Sequence, residues 1–211
     1  MKIGWAFIFL LAALLAPTWQ STANPPAKPF EPRALSWEGK ATIHAGERKI
    51  DIRVRTRISK EGHVLSESWP VEQGEAGIRR MIIDDSGGWM ERGGKREPMP
   101  PEMLEHERQQ FGFYAQMQKV LAYEPQTSLG PHIVVEGRVK TKFHLMGDRV
   151  INATNQVSSP EPGGKPIPQA FYFPGRQSAH GLKWPRRIQI YQHGKLYFDL
   201  KIEKFEVGTA P

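Results

Sequence analysis

Ile50-Asp51-Ile52-Arg53-Val54-Arg55-Thr56-Arg57-Ile58 is the stretch on which the fold turns. Ile50, Ile52, Val54, Thr56 and Ile58 share one parity, and Asp51, Arg53, Arg55 and Arg57 take the other. Side chains alternate between the two faces of a strand, so this pattern predicts a strand with one buried and one solvated face. A partner strand precedes it at Ser36 to Ile43, across a turn at Ala45 to Arg48. A third follows at His63 to Trp69, after the turn Lys60-Glu61-Gly62. Pro70 to Gly77 reads as loop. Arg79 to Ile83 and Trp89 to Arg92 then flank Asp84-Asp85-Ser86-Gly87-Gly88, which has the glycines a hairpin needs.

Pro98-Met99-Pro100-Pro101 interrupts the alternation. Pro101 suits the first position of a helix, and Glu102 and Glu105 complement the helix dipole. Leu104, Phe111, Tyr114, Ala115, Gln118 and Leu121 recur at helical spacing, so Pro101 to Ala122 is the one long helix expected, with Gly112 a point where it can split. Alternation resumes from Ile133 to Leu145, read as one strand, and again over Arg149 to Val157. Ser158 to Pro168 is loop, Ala170 to Phe173 a short strand. Arg187 to Gln192 and Lys195 to Val207 form a last hairpin around His193-Gly194. Leu196, Phe198, Leu200 and Ile202 share a parity that Phe205 and Val207 leave, which predicts a β-bulge near Glu203-Lys204. The expected fold is mainly β (α+β), a curled antiparallel sheet of about nine to eleven strands with a helix laid on it.

The N-terminus has a different character. Lys2 precedes an uncharged apolar run, Ile3 to Leu15. Pro17 ends it, and Ser21-Thr22-Ala23 supplies the small residues of a cleavage site. This is the layout of a secretory signal peptide over residues 1–23. The run is short of the ~20 residues of a spanning helix, so the mature chain is not expected to span a membrane. Pro25, Pro26, Pro29 and Pro32 make residues 24–34 an extended leader, and residues 35–208 a single domain. The expected location is the periplasm.

The sequence contains no cysteine, which excludes disulfides, a thiol nucleophile and a lipidated N-terminal Cys. The histidines lack metal-binding spacing, no Gly-x-Ser-x-Gly elbow or phosphate-binding loop is present, and Asp84-Asp85 lacks the alternating ligands of a calcium loop. No catalysis, cofactor or metal is expected. The formal net charge of +7 favours anionic partners, in this compartment lipid head groups or cell-wall polymers rather than nucleic acid. Arg53, Arg55, Arg57, Arg138, Lys140 and Lys142 form two basic stripes, either a solvated face or a docking surface for an envelope protein or anionic membrane. The aromatic load on the other parity is either ordinary core or the lining of an apolar cavity.

Three segments carry a family resemblance. They are Gly181-Leu182-Lys183-Trp184-Pro185-Arg186-Arg187-Ile188, then Gly194-Lys195-Leu196, then Ile202-Glu203-Lys204-Phe205-Glu206-Val207. They resemble the closing strands of the LolA/LolB-like superfamily. Ile83-Asp84-Asp85-Ser86-Gly87-Gly88-Trp89, followed by Gly93-Gly94 and Met99-Pro100, is similar to that family's Asp-Gly-x-x-x-Trp hairpin leading into a helical stretch. The resemblance implies an incomplete β-barrel with a helical lid over an apolar cavity that holds a lipid or other amphiphile. The chain departs from the family's outer-membrane receptor in having no lipidation Cys, and the motifs place no equivalent of the lipoprotein carrier's cavity arginine. The expected ligand is therefore some apolar or amphiphilic molecule. The expected lining is Trp37, Ile52, Val54, Trp69, Met81, Trp89, Phe143, Ile190 and Phe198, with Phe111 and Tyr114 in the lid.

Overall fold

In the strand Arg48–Ile58 (β2), Ile52, Val54, Thr56 and Ile58 are buried, while Asp51 and Arg57 are exposed. The period-two pattern is therefore realised from Ile52 onward, whereas Ile50, expected on the buried face, is 43% exposed. The computed structural model describes residues 30–123 and 131–208. The proposed signal peptide, residues 1–23, and the leader as far as residue 29 lie outside the described residues.

The strand Ala34–Ala45 (β1) pairs antiparallel with β2. A meander continues through Val64–Pro70 (β3), Arg79–Asp84 (β4), Gly87–Arg92 (β5) and Lys95–Pro98 (β6). A 3-10 segment, Val71–Gly77, occupies the loop between β3 and β4. One helix follows, Pro101–Tyr123 (α1), unbroken at Gly112. After it come Pro131–Glu136 (β7), Val139–Met146 (β8), Arg149–Val157 (β9) and Ile167–Tyr172 (β10). A two-stranded ribbon, Gln177–Ala179 (β11) with Leu182–Trp184 (β12), stands apart from the main sheet. Arg187–Gln192 (β13) and Lys195–Gly208 (β14) close the chain. The main sheet has 12 strands in the order β6-β5-β4-β3-β2-β1-β14-β13-β10-β9-β8-β7, all antiparallel.

That order gives the architecture. The first and last strands, β1 and β14, meet in the middle of the sheet, and the edges β6 and β7 do not pair. The sheet curls without closing, and α1 links one edge to the other across its concave side. Among the described residues no helix is long and apolar enough to cross a membrane.

The β14 bulge is where the parity change puts it. Glu38 pairs with Lys204 and Gly39 with Ile202, which leaves Glu203 unpaired. The slip lets Leu200, Ile202 and Val207 all be buried although their spacing is mixed. Opposite the bulge the backbones approach so closely that a Cβ on Gly39 would collide with the Lys201 carbonyl oxygen.

One strand expectation is corrected. Ile133 to Leu145 is a hairpin that reverses at Gly137-Arg138, with Glu136 paired to Val139. A two-residue turn reverses the chain without interrupting the alternation in sequence, but it exchanges the faces. His132 is therefore buried on the inner side, whereas Ile133 and Val135 are 53% and 66% exposed. The sequence reading also treats β6 and the β11–β12 ribbon as loop.

Candidate functional site

The helix fills one half of the concave face and leaves the other half open. Its Phe113, Met117 and Val120 are buried against Phe143, Ala153, Phe171 and Phe173 of the β8–β10 side. Phe113 stacks on Phe171 with ring centroids 4.1 Å apart and packs on Phe143 at 5.4 Å. Tyr114 turns towards β1 and meets Trp37 edge-on at 5.0 Å. Trp184, almost wholly buried, stacks on Phe205 at 5.4 Å and supports Tyr114 from the ribbon side. Aromatic pairs of this kind stabilise by about 0.5–1.5 kcal/mol each beyond their buried area, which anchors this part of α1 firmly.

Over the opposite half lies a solvent-open cavity of about 270 Å³, lined by α1 and the inner faces of β1–β4, β13 and β14. Eight of the expected residues line it: Trp37, Ile52, Val54, Met81, Ile190 and Phe198 from the sheet, Phe111 and Tyr114 from the helix. Polar groups make up a good part of the lining. Thr56 and Ser66, paired at 3.0 Å between hydroxyl oxygens, form a small polar wall with Ser68. From the helix come Gln110 and Glu107, and from β14 comes Tyr197. No Lys, Arg or His is in this lining. Burial pushes the Glu107 carboxyl above its ordinary range, with the neighbouring His106 opposing the shift. Burial also raises the Tyr197 phenol, and the Glu107 charge adds to it.

Three expected lining residues are elsewhere. Trp69 pairs in register with Arg53 and stacks under Arg55, whose guanidinium lies 5.4 Å from the ring, so it is on the outer face. Trp89 pairs with Ile82, one residue out of phase with the inward Met81 and Ile83, and it carries Arg96 at 4.5 Å. Gly88 faces inward in its place, against Leu104 and Met99. In β3 and β5 the outer face is itself aromatic, so bulk alone misleads about which parity is inside. Phe143 is inward but fully buried beneath Phe113 and has no part in the cavity. Sequence reasoning missed Glu107, Gln110 and Tyr197. Glu107, Phe111 and Tyr114 share one helical stripe, a signal present in the sequence. Tyr197 had none, because a second bulge leaves it unpaired between Leu196 and Phe198.

A second cleft of about 400 Å³, with more charged residues in its lining, lies on the far side of Phe111 and Tyr114, towards Arg33, Lys60, Asp84 and Arg108. The same two rings line both spaces and form the wall between them. Polar ties hold the helix at this level. His106 Nδ1 donates to the Ser158 carbonyl at 2.6 Å, since a carbonyl only accepts. Gln109 accepts from the Ser158 amide at 2.7 Å, Gln110 accepts from Gln169 at 3.2 Å, and Gln118 bonds both backbone groups of Arg33 at 3.0 Å.

The basic residues do not form one face as the stripes suggest. Arg138 is in the β7–β8 turn, and Lys140 and Lys142 are exposed on β8, six positions along the sheet order from β2. On β2, Arg53 is held by Glu203 at 2.6 Å, and Arg55 by Glu67 at 3.0 Å and Glu75 at 3.2 Å. A different row is made by register: Arg53, Lys40, Lys201 and Arg187 sit side by side on β2, β1, β14 and β13. Like charges directly opposite one another repel, and Glu203 and Asp199 compensate only part of the row. Among the described residues no group of three His, Cys, Asp or Glu side chains can hold a metal ion.

No known family model matches the sequence, and no curated protein matches it. Among solved structures, the chain is similar to a LolA superfamily protein of Nitrosomonas europaea, known from its crystal structure. The likeness covers 87% of this chain and 89% of that one, at 9% identity and a TM-score of 0.48.

Proposed function

We propose that this protein is a non-catalytic binding or carrier protein of the periplasm that holds the apolar part of a single-chain amphiphile between α1 and the concave sheet. The observation that supports this is the cavity of about 270 Å³, open to solvent and lined by both aliphatic or aromatic and polar side chains, beside a core of packed rings. Apolar side chains left facing water in such a cleft favour an apolar occupant, which an alkyl chain would supply at about 0.8 kcal/mol per buried CH₂. The volume is just under the ~300–1,000 Å³ of ordinary ligand sites, so it suits one chain rather than a lipid with several. The signal-peptide layout of residues 1–23 supports the location.

Native mass spectrometry of the protein, purified from a periplasmic extract without detergent, tests the reading. A near-stoichiometric adduct that organic extraction identifies as an amphiphile is the expected result. A bare mass, unchanged after incubation with total envelope lipid, would remove it. A second reading then gains weight, that of an adaptor docking an anionic surface through the Arg53–Lys40–Lys201–Arg187 row. Its signature is binding to anionic vesicles that weakens steeply with salt.

A further inference from the structure

We propose that the amphiphile held in this cavity bears a cationic ammonium head, which Glu107 and the surrounding aromatic rings recognise. The inference rests on the carrier reading and names the head group of its ligand.

The argument begins with what α1 does with its polar residues. His106, Gln109 and Gln110 are all engaged by Ser158 and Gln169, and Glu105 accepts from Gln109 at 2.6 Å. Glu107 alone in this turn has no hydrogen bond to any described residue, although it projects into the apolar space. Its oxygens are not sealed in by protein, so in the free protein water in the open cavity pairs with them, and an occupant that displaces this water has to replace the pairing. The lining offers no Lys, Arg or His to do so. A cationic head on the occupant would supply it.

The walls point the same way. Trp37, Phe111, Tyr114, Tyr197 and Phe198 present aromatic rings to the space. Ring faces carry negative charge density and attract ammonium groups, most strongly when these are alkylated and weakly hydrated. An anionic head would meet the Glu107 charge and the ring quadrupoles together. An uncharged hydroxyl head could donate one hydrogen bond to the carboxylate but would leave its charge unbalanced. The upward pull of burial on the Glu107 carboxyl agrees with a group that lacks its counter-charge in the free protein. Rings plus a single carboxylate make a site for a quaternary or protonated amine on an alkyl chain.

The test uses three probes of one chain length below their micellar concentrations: decyltrimethylammonium, decanol and decanoate. Binding is followed by the fluorescence of Trp37 and confirmed by calorimetry. The ammonium is expected to bind about tenfold tighter than the alcohol, with the carboxylate weakest. Glu107→Gln should erase that preference, lowering ammonium affinity about tenfold and leaving decanol unchanged. Decanoate binding as tightly as the ammonium, or an order of affinities unchanged in Glu107→Gln, overturns the proposal. Should decanol bind while the ammonium binds no better, the head-group assignment fails and the carrier reading stands. If none of the three binds, the carrier reading fails and this inference with it. The comparison in the wild-type protein decides the matter even where the variant is poorly folded.

Discussion

Glu67 shows how much a single side chain on the outer face can carry. It is 8% exposed, takes a bond from Arg55 at 3.0 Å and one from Arg80 at 2.8 Å, and Arg80 continues to Glu91 at 2.9 Å. Burial alone would raise its carboxyl. The hydrogen bonds and charges of Arg80 and Arg55 overcome that and hold it below the ordinary carboxylate range. A carboxyl with a depressed folded pKa stabilises the fold fully above the unfolded value, about 4.3, and that contribution is lost as pH falls through the folded value. Glu67→Gln is expected to destabilise by about 1–2 kcal/mol near neutral pH, the low end for a charged network because both guanidiniums keep solvent contact. Urea unfolding across the acid range checks both points. The wild-type protein should lose its advantage over the variant as pH drops below the usual carboxylate range.

At the scale of the element, the bulge in β14 and the glycine facing it act as a pair. Extra Glu203 realigns the inward residues, and Gly39 lets the two backbones come together beside it. Gly39→Ala places a methyl group on the Lys201 carbonyl oxygen, and should destabilise by about 2 kcal/mol or more, read as a lower urea midpoint at unchanged slope. The bulge was legible because Ile202 and Val207, both hydrophobic, have opposite parities in one strand. The β7–β8 turn was not, since Ile133, Val135 and Val139 keep one parity through a hairpin that exchanges their faces. Alternation says which side chains share a face, and says which face is inside only when the other is polar. In β2 the other face is arginine, so Ile52 and Val54 were placed correctly. In β3 and β5 it carries Trp69 and Trp89, which the same reasoning turned inward. Glu107 was missed because a charged residue on a helix reads as solvated until the sheet beneath it is known to be hollow.

For the whole molecule, the decisive circumstance is that one helix spans both edges of a sheet wider than it can cover. Its Phe113 side seals the β8–β10 half, and the remaining half keeps the cavity. Phe111 and Tyr114, their rings 6.2 Å apart, separate that cavity from the second cleft beyond. On the carrier reading, the partition would make the protein a ruler. Along a series of straight-chain alcohols, affinity should climb by about 0.8 kcal/mol with each methylene until the chain has filled the space that the two rings close off, and then level off. Phe111→Ala joins the two spaces, so the plateau should move to longer chains while short alcohols bind no better than before. A plateau at the same length in both proteins would mean that the rings do not set the limit. On that reading, cargo would be sorted by length before any partner is met.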